Sequence, residues 1–155
     1  MIAVIDYRAG NLTSVERALN YLGFASEITD SPERIRQAER VIFPGVGAAG
    51  EAMRHLRELG LRDVLTDAIG AGIPFLGICL GYQVLFDHSD EDDADCLGVL
   101  PGHVVRFADD MREGESDLPL KVPEMGWNNV RFRGDHPVWA DVPPHSEFYF
   151  VHSYY

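Results

Sequence analysis

The 155-residue sequence predicts an α/β protein: a mostly parallel sheet with helices on both faces, followed by C-terminal strands of mixed or antiparallel pairing. Three observations carry this. Short apolar, β-rich runs alternate with segments whose apolar residues recur at helical spacing. Such alternation builds parallel sheets, because each crossover lays a helix on a sheet face. After an acidic run at 87–95 the helical faces disappear, and aromatic and β-branched residues take over.

The elements follow in order. Ile2-Ala3-Val4-Ile5 reads as a buried parallel strand, and residues 6–11 as a loop. Leu12, Val15, Leu19 and Leu22 form a helical face; Thr13 with Glu16 fits a capping box, and Gly23 ends the helix. Residues 25–29 read as a second strand. Ser31-Pro32-Glu33 opens a short polar helix, with Ser31 as N-cap and Pro32 at the first helical position. Val41-Ile42-Phe43 is a third strand, stopped by Pro44-Gly45-Val46-Gly47. A helix then turns Ala49, Ala52, Met53, Leu56 and Leu59 inward and ends at Gly60, and another carries Leu61, Val64, Leu65, Ala68 and Ile69. The apolar run after Pro74 reads as a buried strand ending in Gly77-Ile78-Cys79-Leu80-Gly81, with Val84, Leu85 and Phe86 continuing as a helical face. The acidic run at 87–95 is expected as a solvated loop and 109–119 as a mobile surface loop. Residues 97–107, 127–132 and 148–155 are expected as strands. No repeat, low-complexity tract or linker divides the chain, so residues 1–155 are expected to form one domain.

Bulk properties narrow the function classes. A net charge of −12 argues against nucleic acid and anionic membranes as partners. No apolar stretch approaches a membrane span, and the first residues are too short an apolar run for a secretory signal. A cytoplasmic setting with reduced thiols is expected, so Cys79 and Cys96 are not expected to pair. The six histidines are scattered without metal-ligand spacing, and no metal or cofactor is expected.

The chemistry concentrates at Cys79. A reactive side chain with glycines two residues before and after it is the pattern of a nucleophile elbow. Side chains at Gly77 and Gly81 would collide with neighbouring backbone in the sharp strand-to-helix turn. The turn also sets the sulfur at a helix N-terminus, which favours thiolate, and aims the Leu80 N–H where an oxyanion would form. The bland alternative is a buried structural cysteine. In parallel sheets sites lie at the carboxyl ends of strands, where the 44–47 loop and Cys79 can face one another.

Pro44-Gly45-Val46-Gly47, Gly77-Ile78-Cys79-Leu80-Gly81-Tyr82-Gln83 and Met125-Gly126-Trp127-Asn128 together resemble the glutaminase subunits of imidazole glycerol phosphate synthase. These are class I, triad-type glutamine amidotransferases of histidine biosynthesis, with a flavodoxin-like fold. Phe148-Tyr149-Phe150-Val151-His152-Ser153-Tyr154 is similar to their late strand, and the likeness runs from Ile2 to Tyr155. The elbow is shared widely among class I amidotransferases and related hydrolases. The Met-Gly-Trp-Asn and late-strand segments are particular to the histidine branch.

The resemblance implies that the Cys79 thiolate attacks the side-chain amide of glutamine, ammonia leaves, and water hydrolyses the thioester to glutamate. Ammonia would pass to a (β/α)8 cyclase subunit that makes imidazole glycerol phosphate and AICAR, in a heterodimer. The oxyanion donors would be Leu80 N–H and a backbone N–H within Val46-Gly47. Because glycines flank Val46, a peptide reorientation there is inexpensive, and the loop is read as a switch answering to a partner. Gln83, one helical turn beyond Cys79, and Glu91 would bind glutamine, with Glu91 reading its ammonium group. Backbone at Ser153 and Tyr154 would hold the substrate carboxylate. Asn11, Arg17, Met125, Trp127, Asn128 and Tyr149 would face the cyclase. His152 is read as a packed strand histidine. Glu124 stands where the resemblance expects a histidine.

One departure matters. The family's catalytic histidine and glutamate lie in a His-Pro-Glu segment downstream of the late strand, and the sequence stops at Tyr155. His136 precedes Pro137, but Val138 follows and the segment comes too early; His55 and His88 have no partner acid signalled. The expectation is therefore a C-terminally truncated domain that alone turns over glutamine negligibly. The competing readings are a non-catalytic module docking on the cyclase, another amidotransferase branch, and a cysteine peptidase-like hydrolase on the same fold.

Overall fold

In a computed structural model, residues 1–113 and 118–155 are described. They form two compact units, Met1–Val105 and Arg106–Tyr155.

The first unit is built on a four-stranded parallel sheet of β1 (Ile2–Ile5), β2 (Ser26–Thr29), β3 (Arg40–Gly45) and β4 (Phe75–Cys79), in the order β2-β1-β3-β4. Alternate residues of a strand face opposite sides. Ile2 and Val4 pack with Leu19 of α1 (Leu12–Tyr21) on one face, where Leu12, Val15, Ile28 and Ile42 join them. Ala3, Ile5, Val41 and Phe43 pack on the other, under α2 (Pro32–Arg36), α3 (Ala49–Glu58) and α4 (Leu61–Gly70). The apolar face expected for α3 is the buried one: Ala49, Ala52, Met53 and Leu56. Ser31 caps α2, accepting from the Arg34 N–H at 3.4 Å, with Pro32 in the first turn. Gly23 and Gly60, at φ 79° and 65°, follow α1 and α3 as left-handed terminators.

Several expectations are corrected. The Thr13–Glu16 capping box does not form, because α1 already starts at Leu12 with Asn11 as an N-cap that makes no side-chain bond. Pro44 and Gly45 do not stop β3; both pair with β4. The strand after Pro74 is not buried: Leu76 and Ile78 are 47% and 41% exposed. As the sheet's edge, β4 has one neighbour, and its register places these two residues opposite Ile42 and Pro44, past the reach of the α1 cluster. The helix after Cys79 is one turn, α5 (Leu80–Gln83). It ends where the carbonyls of Val84 and Leu85 accept instead from the N–H groups of Leu97, Val99 and Leu100.

The acidic run is not a solvated loop. It holds β5 (His88–Ser89), a 3-10 turn at Glu91–Asp93 and β6 (Ala94–Asp95), and β5 also pairs with β7 (His103–Val104). Ser89 and Ala94 are buried. Only two residues of the strand expected over 97–107 are strand.

In the second unit β8 (Arg112–Glu113) pairs antiparallel with β9 (Leu118–Pro119), so part of the expected 109–119 loop forms a ladder; residues 114–117 of it lie outside the described residues. A longer antiparallel pair joins β10 (Glu124–Asn129) to β11 (Glu147–His152).

The elbow's glycines are required by contact. A Cβ at Gly81 would stand 1.8 Å from the Phe43 carbonyl oxygen, whereas one at Gly70 would meet nothing within 4 Å. Gly81→Ala should therefore cost about 3 kcal/mol or more, while Gly70→Ala should stabilise by roughly 0.5–1 kcal/mol. Urea unfolding of the two variants checks both signs.

Candidate active site

The site forms where β3 and β4 end together. Register pairs Gly45 with Cys79, so the Val46-Gly47 loop leaves the sheet beside the cysteine. Cys79 has φ 54° and ψ −119°, a backbone state that side chains rarely adopt. Such strain costs on the order of 1–3 kcal/mol and persists only when the surroundings enforce it. Here they do: a Cβ at Gly77 would come within 2.7 Å of the Gly81 carbonyl oxygen, and one at Gly45 within 2.5 Å of the Gly81 nitrogen. The turn is thus pressed backbone-to-backbone beneath the end of β3, and the Cys79 thiol is left exposed. With only one turn in α5, the helix dipole expected to favour thiolate is short; the N–H groups of its first turn, Leu80 included, have no intrahelical partner.

The two cysteines differ. Cys96 is buried, and desolvation, with Asp95 nearby, pushes its thiol up to about 11. It is a packing residue; both thiols are free.

Tyr7 was missed by the sequence reading, which left it in a turn. Its ring is buried edge-on to Phe43 with centroids 5.3 Å apart, and its hydroxyl meets Val46 twice. The Val46 N–H donates to the hydroxyl oxygen at 3.1 Å, and the hydroxyl donates to the Val46 carbonyl at 3.2 Å. Burial raises the phenol above its ordinary value; the bond to Val46 works against this, and the neighbouring Cys79 and Glu51 add to the rise. The available signal was position: Tyr7 follows β1, the immediate neighbour of β3, at the same sheet edge.

Glu91 is half-buried and accepts from the Ala49 N–H, at the start of α3, at 3.0 Å. It therefore stands two residues from Gly47. Burial raises its carboxyl above the ordinary range; the Ala49 bond works against this, and Asp92 adds to the rise. Gln83 is half-buried on α5. Asn11 and Arg17 are exposed on and before α1. Among the described residues of this unit no histidine bonds to the Cys79 sulfur: His55 meets Arg54, and His88 lies between Asp93 and Asp95 beside the His103 ring.

The other sequence-predicted positions lie in the second unit. Ser153 accepts from the Phe107 N–H through its carbonyl, and Tyr154 bridges to Arg106. His152 is a packed strand histidine, its Nδ1 2.7 Å from the Tyr154 carbonyl and its ring against Phe107 and Phe150. Glu124 accepts from the Asn128 side-chain amide at 2.7 Å. Met125, Trp127, Tyr149 and Val151 share one exposed stripe, with Trp127 and Tyr149 paired edge-to-face across the strands.

The model of the glutamine amidotransferase class-I family matches residues 3–155. The chain belongs to the class I glutamine amidotransferases. The amidotransferase is 47% identical over 156 residues to the imidazole glycerol phosphate synthase subunit HisH of Thiobacillus denitrificans, covering 99% of this chain and 68% of that protein. It is 46% identical to HisH of Maridesulfovibrio salexigens (100% and 73% covered) and 49% identical to that of Pseudomonas putida (99% and 72%). Among solved structures it is similar to a glutamine amidotransferase, with a TM-score of 0.59 at 23% identity over 68% of this chain and 57% of the other. A putative peptidase E from Listeria monocytogenes shares the fold at TM-score 0.53 and 14% identity, covering 64% and 62%. The α/β class read from the sequence is the fold of these structures.

The raised Glu91 carboxyl gives a pH prediction. A carboxyl raised by folding favours the folded state below its unfolded value, and that contribution is lost as pH climbs through the raised one. Glu91→Gln keeps an acceptor for Ala49 but cannot ionise. The wild type should lose stability relative to this variant as pH rises from the ordinary glutamate range to neutrality, read by denaturant midpoints along a pH series.

Proposed function

We propose that this chain is the glutaminase subunit of an imidazole glycerol phosphate synthase, with residues 1–155 acting as one amidotransferase domain. The observation that carries this is the strained, exposed Cys79, paired with Gly45 and flanked by a glycine-bounded loop. The HisH relatives, matched along the whole chain, supply the pathway.

In this reading the Cys79 thiolate adds to the side-chain carbonyl of glutamine, and the tetrahedral oxyanion is received by Leu80 N–H and a loop N–H. Collapse expels ammonia, and water then releases glutamate from the thioester. The Val46 N–H is engaged by Tyr7 in the resting loop, and the Gly47 N–H belongs to the peptide whose carbonyl Tyr7 also holds, so recruiting a loop donor requires the loop to move. Gln83 and Glu91 flank the substrate, with Glu91 facing its ammonium group. Ser153 and Tyr154 hold its carboxylate through backbone N–H groups. A general base must accept the thiol proton and return it to ammonia.

Ammonia passes to a (β/α)8 cyclase, in a heterodimer, for synthesis of imidazole glycerol phosphate and AICAR. The exposed stripe of Met125, Trp127 and Tyr149, with Asn128 beside it, supplies aromatic anchors of the kind that dominate interfaces. Asn11 and Arg17, in the first unit, are read as further contacts with the cyclase. No described helix is long and apolar enough to cross a membrane, and a cytoplasmic setting fits the two free thiols. A second reading, a module that docks without hydrolysing glutamine, is favoured by the absence of any histidine bonded to Cys79 within its unit.

Two measurements test this. A chloromethyl ketone analogue of glutamine should alkylate Cys79 and not Cys96, with protection by glutamine and no labelling of Cys79→Ser; labelling indifferent to glutamine would reject the substrate assignment. Trp127→Ala should weaken binding to the cyclase by roughly tenfold or more, as loss of an aromatic anchor does. Unchanged affinity in titration calorimetry would move the interface elsewhere. Glutamine turnover in that complex separates the enzyme from the docking module.

A further inference from the structure

We propose that Tyr7 is a positioning residue: its hydroxyl clamps Val46 by both peptide groups and holds the oxyanion loop at rest. The proposal rests on the amidotransferase reading of the site and adds a regulating contact to it.

The geometry is specific. A phenol has one proton to give and lone pairs to receive. Tyr7 uses both on one residue, accepting from the Val46 N–H at 3.1 Å and donating to the Val46 carbonyl at 3.2 Å. These two groups belong to different peptides, 45–46 and 46–47. One hydroxyl therefore fixes the orientation of both planes on either side of the Val46 Cα. An N–H engaged with a buried hydroxyl is not available to an oxyanion at the Cys79 sulfur. Rotating the 46–47 peptide would likewise break the bond to its carbonyl.

The rest of the loop offers less resistance. Gly47, at φ 92°, would meet nothing within 4 Å if it carried a Cβ, and the Val46 side chain is 52% exposed. The clamp itself stands on rigid ground. Tyr7 is 1% exposed, its ring is wedged edge-on against Phe43, and Phe43 in turn backs the Gly81 contact of the elbow. Burial keeps the phenol protonated and so able to donate. The same core residue thus supports the nucleophile's turn and the arm that restrains the donor opposite it.

Tyr7→Phe tests this, since the ring and its contact with Phe43 remain. The readout is the rate of Cys79 alkylation in the 155-residue chain by two reagents. The chloromethyl ketone analogue of glutamine reacts through attack at a carbonyl, where oxyanion donors help; iodoacetamide reacts by direct displacement, where they do not. The variant should react roughly thirtyfold faster with the ketone, the scale of releasing a pair of ordinary hydrogen bonds, and at an unchanged rate with iodoacetamide. Amide exchange at Val46 should accelerate by a similar factor while that of Ala3 and Ile5 stays put. A ketone rate that falls or stays constant overturns the proposal, as does equal acceleration with both reagents, which would report only an easier approach to sulfur. Were the wild type to lack glutamine-protected labelling, the substrate assignment would fail; unchanged Val46 exchange in the variant would then separately overturn the clamp.

Discussion

Gly81 approaches β3 so closely that a single added carbon would overlap the Phe43 carbonyl oxygen, and the placement of the Cys79 turn follows from that contact. With Gly77 and Gly45 meeting the same turn, three glycines let the β4–α5 bend tuck under the end of its neighbouring strand. A bend held at that distance cannot relax, so Cys79 keeps its positive φ and its sulfur stays at the sheet's mouth. The strain is offset by a core that is otherwise ordinary: Phe43, Leu80 and Val84 are all essentially buried around the bend. Removing the close contact would free the backbone and release the Cys79 sulfur from the position that the proposed chemistry requires.

Much of this was legible because it is local. The strand run at Ile2–Ile5, the helical spacing of α3 and the Ser31-Pro32 start are written within a few residues, as is the glycine pattern around Cys79, and these formed where those residues indicate. What the sequence did not show depends on strand order and distant backbone. Leu76 and Ile78 are as apolar as a central strand requires, and nothing local marks β4 as an edge. Val84 and Leu85 have the composition of a helical face, but their carbonyls are claimed by N–H groups twelve or more residues downstream. The acidic run looked solvated because charge usually is; Glu91 instead turns inward to satisfy the orphan N–H at the head of α3.

The site divides along the same line. Cys79, Leu80 and the Val46-Gly47 loop are proposed from short patterns, and the sheet register brings the two segments side by side. Tyr7 could not be identified that way, since it reaches Val46 across 39 residues and carries no motif. Residues proposed for the substrate carboxylate, and those proposed for the partner surface other than Asn11 and Arg17, lie in the second unit, and their reading rests on resemblance together with exposure of the Trp127–Tyr149 stripe.

Magnitudes decide where control of such a site resides. The strained cysteine is a permanent feature of the fold, enforced by contacts that cannot be loosened without unfolding the bend. A missing oxyanion donor costs roughly 3 kcal/mol of barrier, on the order of a hundredfold in rate. Two ordinary hydrogen bonds from one hydroxyl contribute about 1 kcal/mol each. A restraint of that size suffices to keep a glycine-flanked peptide turned away, yet is small beside what a protein interface can supply. On the proposed reading, holding the nucleophile rigidly and the donor loosely would let a docked partner raise the rate without touching the sulfur, an arrangement that would spare ammonia from release when no acceptor is bound.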